Sequence, residues 1–312
     1  LQPIMQDLAR YGYKWDFLSG ESAEGALRSD LLRTVDLLRG LGAIGLSTGL
    51  CTTSLKALEE GYGARAASGD TLTKKLKTAA SELLQAFPVS LAPDAGNSSA
   101  RKEFARDFAN LRCAANTDDL TRDWSLWQAL RNLRLSKRGA PTPEGYDAHA
   151  AAVMEAAKDL VEHPGPLEDA KTHFSALVTG AQQVLAAYDT AKRQAGLIDY
   201  ADMIVEAEAL LREREDILAA VLSEIDCVVI DEFQDTNPVQ FSLLWRLAKG
   251  AQRALIVGDT KQSIMGFQGA DSRLSEALQK SFPDSVEPLS KNWRSDARIM
   301  AFVNNLGSTL FP

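Results

Sequence analysis

Two short apolar runs constrain this chain more than any other feature. Asp226-Cys-Val-Val-Ile-Asp231 and Ala254-Leu-Ile-Val-Gly-Asp259 are nearly uninterrupted, rich in branched residues, and each ends in an acid. Strands that read as continuous apolar runs are those buried on both faces, as in parallel sheets. Helical patterns at Pro238–Lys249 and Asp271–Lys280 alternate with these runs, and a weaker apolar run lies at Val286–Leu289. The alternation predicts an α/β fold with a parallel sheet covered on both faces. In such sheets ligands bind at the carboxyl ends of the strands. Asp231 and Asp259 stand at that edge, so chemistry is expected there.

The preceding part of the chain has a different period. Leu27, Leu31, Val35 and Leu38 recur at helical spacing, as do Leu72, Leu76, Leu83, Leu84 and Phe87. Between Leu167 and Ala195, Phe174, Leu177, Val178, Ala181, Leu185 and Tyr188 form one stripe, with Gly196 where a carboxyl-terminal cap belongs. Asp199 is placed to cap a helix over Tyr200–Glu213. At about 150 residues per domain, 312 residues predict two domains. The change of period divides them into an all-helical 1–195 and an α/β 196–312. The chain starts at Leu1 with no initiator methionine and stops at Pro312 after a helical pattern, so it is expected to be a piece of a longer protein.

Charge and cysteine content narrow the function. With 34 Lys+Arg against 42 Asp+Glu, the net charge of −8 excludes a protein that coats nucleic acid by bulk charge, but not a local basic groove. Cys51, Cys113 and Cys227 form no CxxC pair, and His149, His163 and His173 have no ligand spacing. Sparse cysteines suit a reducing, cytoplasmic setting. No run of about 18 apolar residues predicts a membrane span.

Three segments carry candidate chemistry. In Val228-Val-Ile-Asp-Glu-Phe-Gln-Asp-Thr-Asn-Pro-Val-Gln240, a buried strand would hold Asp231 at the sheet edge as a Mg²⁺ ligand. Glu232, one residue on, could polarise a water attacking a γ-phosphate. In the segment Leu255–Asp271, Gly258 would let the backbone turn, and Gln262 could contact the γ-phosphate and the attacking water. Phe267, between two glycines, could stack on a base. In Leu289-Ser-Lys-Asn-Trp-Arg-Ser295, Arg294 could bind phosphate with its planar fork. Each residue alone also has a bland reading: a solvated loop, a core aromatic or a surface charge.

Together, DEFQDTNPVQ, GDTKQSIMGFQGAD and LSKNWRS resemble the consecutive motifs II, III and IV of superfamily 1 DNA helicases of the UvrD/Rep type. The GDxKQSI form is most similar to the RecB/AddA branch, and Leu197-Ile-Asp-Tyr-Ala-Asp-Met-Ile204 resembles the DFxDL element before motif II in that group. The resemblance covers about residues 197–300. It implies part of a RecA-like, P-loop NTPase first motor domain with a large helical insertion, and an ATP- and Mg²⁺-dependent helicase that moves on single-stranded DNA in recombination or break repair. Asp231 would bind Mg²⁺, Glu232 would activate water, and Gln262 and Arg294 would contact the γ-phosphate. Gln234 and Asp235 would couple the nucleotide site to the motor, and Phe267, with Met265 beside it, would face single-stranded DNA. The family usually has an aromatic at Met265 and arginine at Gln268, between DNA and nucleotide, so Gln268 alters that coupling position.

The 312 residues contain no G-x-x-x-x-G-K-[ST], and the glycines of Gly40-Leu-Gly-Ala-Ile-Gly45 read as packing or turn glycines. As given, the chain is expected not to hydrolyse ATP. A second basic feature, Arg131, Arg134, Lys137 and Arg138 after Trp124 and Trp127, could contact duplex phosphates, or be a solvated face over a tryptophan core. The expected partners are single-stranded and duplex DNA and, by resemblance, a nuclease–helicase subunit. The alternatives are a non-catalytic DNA-binding scaffold with a degenerate helicase domain, or a helical interaction module fused to such a domain.

Overall fold

The computed structural model describes the chain except residues 67, 89–97, 117–118, 138–140, 290 and 311–312. It divides into two compact units, Leu1–Glu206 and Ala207–Pro312.

The first unit is helical. It contains α1 (Gln2–Gln6), α2 (Ala23–Gly40), α3 (Gly49–Tyr62), α4 (Asp70–Ala86), α5 (Ser98–Ala115), α6 (Asp119–Arg122), α7 (Trp124–Leu130), α8 (Tyr146–Lys158) and α9 (Pro164–Ala195). The helix α10 (Tyr200–Glu213) begins within it. The heptad-like stripes make three clusters. Leu76, Leu83, Phe104, Phe108, Trp127 and Tyr146 pack α4, α5, α7 and α8 together. Val35, Leu38, Ala181 and Leu185 join α2 to α9, and Ile4, Tyr13 and Leu27 form a third cluster. Local chemistry sets the ends of the helices: Ser22 caps α2 by accepting from the Gly25 N–H, and Gly196, with φ +66°, closes α9 in the left-handed conformation. Gly45 is a packing glycine, since a Cβ there would lie 2.0 Å from the Leu38 carbonyl oxygen.

Trp127 is fully buried, and its Nε1 donates to the Leu120 carbonyl at 2.8 Å. The tryptophans before the basic stretch therefore belong to the core. Arg134 is a correction to the candidate DNA-contacting set. Its side chain is only 5% exposed and is ion-paired with Glu103. The guanidinium also lies 5.1 Å from the Phe104 ring centroid, and its backbone N–H donates to Asp107 at 2.7 Å. A buried arginine engaged on three sides is a core residue, because leaving it unpaired there would cost several kcal/mol. Lys137 is exposed and Arg131 half-buried, while Arg138 lies outside the described residues.

The second unit holds α11 (Glu215–Ser223), β1 (Cys227–Ile230), α12 (Pro238–Gly250), β2 (Arg253–Ile256), α13 (Ser272–Ser281) and α14 (Ala297–Leu310). β1 and β2 pair in parallel, Cys227 opposite Arg253 and Ile230 opposite Ile256. Val228, Ile230 and Ile256 pack with Phe233, Phe241, Leu244 and Ala248, so α12 covers one face. Coverage of both faces does not hold among the described residues: Val229 and Leu255, pointing the other way, are 65% and 55% exposed. The third run is also corrected. Residues 286–289 are irregular, and Val286 and Leu289 are exposed. Pro288 removes a backbone donor there, which weakens any ladder. No helix among the described residues is long and apolar enough to cross a membrane.

Candidate nucleotide-binding edge

The carboxyl end of β1 builds the candidate site. Ile230 is buried, and Asp231 follows with its side chain exposed. Its Oδ1 accepts the Glu232 N–H at 2.9 Å. Glu232 turns the backbone through φ +51° and ψ +40°. It is the one non-glycine residue with positive φ among the described residues. A glutamate held there stores about 1 kcal/mol of strain, and such strain clusters at functional sites. The turn tucks Phe233 and Gln234 inward and leaves both acids at the edge.

Gln234 is 1% exposed and holds the site together. Its Nε2 donates to Glu232 Oε2 at 2.6 Å, and its Oε1 accepts the Asp259 N–H at 2.9 Å. The Ser263 hydroxyl donates to its carbonyl at 3.3 Å. The amide thus ties the loop after β1 to the loop after β2. The two loops are also stitched by backbone bonds, Phe233 N–H to Val257 O at 3.0 Å and Val257 N–H to Ile230 O at 2.8 Å.

Gly258 is needed for a reason other than a turn. A Cβ at this position would stand 2.9 Å from Gln234 Oε1 and 3.3 Å from Phe233 Cβ. The glycine permits close approach of the two loops, not a left-handed φ. Beyond it, Asp259 Oδ2 accepts from Gln262 Nε2 at 3.0 Å, and Oδ1 accepts the Lys261 N–H at 3.0 Å. The hydrogen bond from Gln262 is the main reason the Asp259 carboxyl is held below its ordinary range. Glu232 and Gln262 are therefore the two ends of one chain, Glu232–Gln234–Asp259–Gln262. Asp259 as the anchor of Gln262 is a role the sequence motif did not assign; its place at the end of an apolar strand was the available signal.

The other site residues differ in how far the structure places them. Asp235 is half-buried, and its Oδ1 is buried with no hydrogen-bond partner among the described residues. Asn237 caps α12 in a reciprocal box with Gln240, at 2.9 and 3.1 Å, which fixes the exit of this loop. Met265 is half-buried in a short 3₁₀ turn over Met265–Gln268, closed by Gly269 at φ +84°. The side chains of Phe267 and Gln268 lie outside the described part. Arg294 is exposed; its N–H and that of Ser295 both bond Asn292 Oδ1, at 2.8 and 2.9 Å, in a tight turn that also leaves Trp293 89% exposed. No described contact joins Arg294 to Asp231 or Gln262.

The donor chemistry bears on metal choice. Among the described residues no group of three or more His, Cys, Asp or Glu side chains could form a metal cage. Paired exposed carboxylates at a strand end fit a cation that keeps water and substrate oxygens in its shell, as Mg²⁺ does.

The model of the UvrD/REP helicase N-terminal domain matches residues 65–283. The chain belongs to that family. The match runs from within the helical unit through the β1 and β2 loops, so it takes in part of both units. DNA helicase II of Escherichia coli is 34% identical over 126 residues, which is 40% of this chain and 18% of that protein. The ATP-dependent DNA helicase PcrA of Leuconostoc citreum is 28% identical over 153 residues, 49% of this chain and 20% of that protein. RecBCD enzyme subunit RecB of Mycolicibacterium smegmatis is 33% identical over 121 residues, 38% of this chain and 11% of that protein. The matches thus span a fifth or less of these UvrD-like helicases.

Proposed function

We propose that this chain is part of a RecA-like first motor domain with its helical insertion, in an ATP-dependent helicase that translocates on single-stranded DNA. The observation that carries the reading is the Glu232–Gln234–Asp259–Gln262 chain. A buried amide links the acid that would handle the attacking water to the amide that would sense the γ-phosphate. Bound ATP with Mg²⁺ supplies the phosphoanhydride and the neutralising charge. Asp231 would hold the metal through one carboxylate oxygen, directly or through water. Glu232, its carboxylate oriented by Gln234, would take a proton from water. Gln262 and Arg294 would contact the γ-phosphate, and Asp235 would pass the state of the site onward through its unpaired oxygen. Phe267 and Met265 on the 3₁₀ turn would meet single-stranded DNA, with Gln268 between the two sites. Residues 131–138, without Arg134, keep Arg131, Lys137 and Arg138 as candidate duplex contacts.

We further place the parent protein in the RecB/AddA-like branch, acting in the cytoplasm in double-strand-break repair or recombination, beside a nuclease–helicase partner. The GDxKQSI form of the β2 loop and the similarity to RecB support this. The 312 residues alone hold no lysine-bearing phosphate loop, so they are expected not to turn over ATP.

The test is Glu232→Gln in the full-length protein, assayed for DNA-stimulated ATP hydrolysis and nucleotide binding. Turnover should fall about 10²-fold or more, with ATP affinity largely kept. Unchanged turnover would remove Glu232 as the base.

A further inference from the structure

The side of α12 turned away from the sheet carries a polar link that the nucleotide edge does not use. Phe241, Leu244 and Ala248 hold one side of α12 against Ile230, Phe233 and Ile256. On the other side Ser242 and Arg246, one turn apart, meet a single acid, Glu208 of α10. Glu208 is only 5% exposed and shares the buried side of its helix with Leu211. The Ser242 hydroxyl donates to its Oε1 at 2.8 Å, and Arg246 Nη2 stands 3.7 Å from the same oxygen. Arg212 Nη1 donates to Oε2 at 2.6 Å. Both oxygens of a buried carboxylate are therefore engaged, and none of the motif segments contains this residue.

The two sides constrain α12 differently. Apolar packing is non-directional and lets a helix turn or slide slightly over the strands. A hydrogen bond fixes direction and distance. Past the cap of α12, the Ser242–Glu208 bond is its one side-chain hydrogen bond to another element among the described residues. Five residues before Ser242, Asn237 caps the helix in its reciprocal box with Gln240, and Asp235 lies two residues further back. The backbone between is tied as well, Asp235 N–H to Glu232 O at 3.0 Å and Thr236 N–H to Phe233 O at 3.1 Å. A small rotation of α12 is thus passed to the loop that presents Asp231, Glu232 and Gln234. We propose that Glu208 is a positioning residue for the nucleotide edge: by fixing Ser242 it sets the rotation of α12, and with it the place of the loop 231–237. It touches none of the reacting groups and acts through α12. Loss of the acid would also strand Arg246, whose buried Nε has no hydrogen-bond partner among the described residues. The proposal rests on the reading of the β1 end as a nucleotide site, and adds to it a residue outside the motifs.

The test has two arms. In the full-length protein, Glu208→Ala should lower the kcat of DNA-stimulated ATP hydrolysis about tenfold or more while the KM for ATP stays within about twofold, as expected when groups leave the reacting geometry. Glu208→Gln keeps an acceptor for Ser242 and should bring kcat back to within about threefold of the parent. Adding Ser242→Ala to Glu208→Ala should cause no further loss, because both remove one link. In the chain 1–312 without nucleotide, hydrogen exchange followed by mass spectrometry should show faster exchange of the Asp235 and Thr236 amides in Glu208→Ala, with exchange in α4 and α5 unchanged. Circular dichroism melting identifies a variant that has unfolded. In that case Ser242→Ala, which removes only the hydroxyl, takes its place in both arms, with smaller effects in the same direction. Parent-like kcat in a folded variant would overturn the proposal, as would a loss carried by KM, a Gln variant no better than Ala, or faster exchange confined to α12. A full-length parent without ATP turnover would count against the motor reading alone, and the exchange arm would then decide on Glu208 by itself.

Discussion

The two units solve the problem of buried polarity in opposite ways. In the first, polar groups are buried to finish a core: Arg134, Asp107 and His163 sit among large aromatic side chains. In the second, only Leu211, Ile230, Phe233, Val239 and Ala248 are buried hydrophobics among the described residues, and the most buried polar side chain, Gln234, joins two loops. The difference teaches where information lies. The first unit uses polarity to fix packing, and in the second the buried Gln234 fixes the distance between two loops.

The largest expected effect breaks the first unit. Trp127→Ala removes a fully buried ring and its bond to Leu120 O, and should cost about 3–5 kcal/mol. Differential scanning calorimetry should show a lowered transition for the helical unit; a melting profile like that of the parent would show that the ring is not central to this core. A smaller effect separates stability from function in the second unit. Gln234→Leu keeps the volume but leaves the Asp259 N–H without its acceptor, at about 1–3 kcal/mol. In the full-length protein, DNA-stimulated ATP turnover should fall further than that loss of stability explains at a temperature where the variant is folded. Equal turnover in folded variant and parent would make Gln234 a packing residue only.

The smallest effect comes from pH. Burial pushes His163 and His173 below the ordinary histidine value. His163 uses Nδ1 to accept the Gly165 N–H at 2.9 Å, capping α9. A depressed histidine contributes stability that is present above its ordinary value of about 6.5 and is lost as pH falls through the lower folded value. All three histidines lie in the first unit. Between pH 7.5 and 5, the helical transition should therefore move to lower temperature while that of the second unit moves less. A parallel shift of both would mean that groups other than the histidines dominate.

Much of the framework was legible in the sequence because it depends on periodicity and local caps. The helix over Tyr200–Glu213 and the Gly196 cap follow from spacing and from glycine's tolerance of positive φ. β1 sits inside its apolar run for the same reason, while β2 begins one residue ahead of its run, at Arg253. What was not legible depends on long-range contact. Arg134 looked like one member of a basic stretch, yet Glu103 and Asp107, 31 and 27 residues earlier, take it into the core. Gly258 read as a turn residue, but the constraint on it is the Gln234 amide across the loop. The Val286–Leu289 run has strand-like composition without a partner in register, and composition alone cannot supply one. At the site, the order of motifs located Asp231, Glu232 and Gln262, but only folding shows that Gln234 and Asp259 join them.

Cys113 on α5 and Cys227 at the start of β1 are both exposed, whereas Cys51 is half-buried, 3.7 Å from Ser175 Oγ. Each unit therefore displays one readily reachable thiol. A donor and acceptor dye pair on Cys113 and Cys227 would turn the unmodified sequence into its own ruler, reporting the separation of the two units as DNA is added.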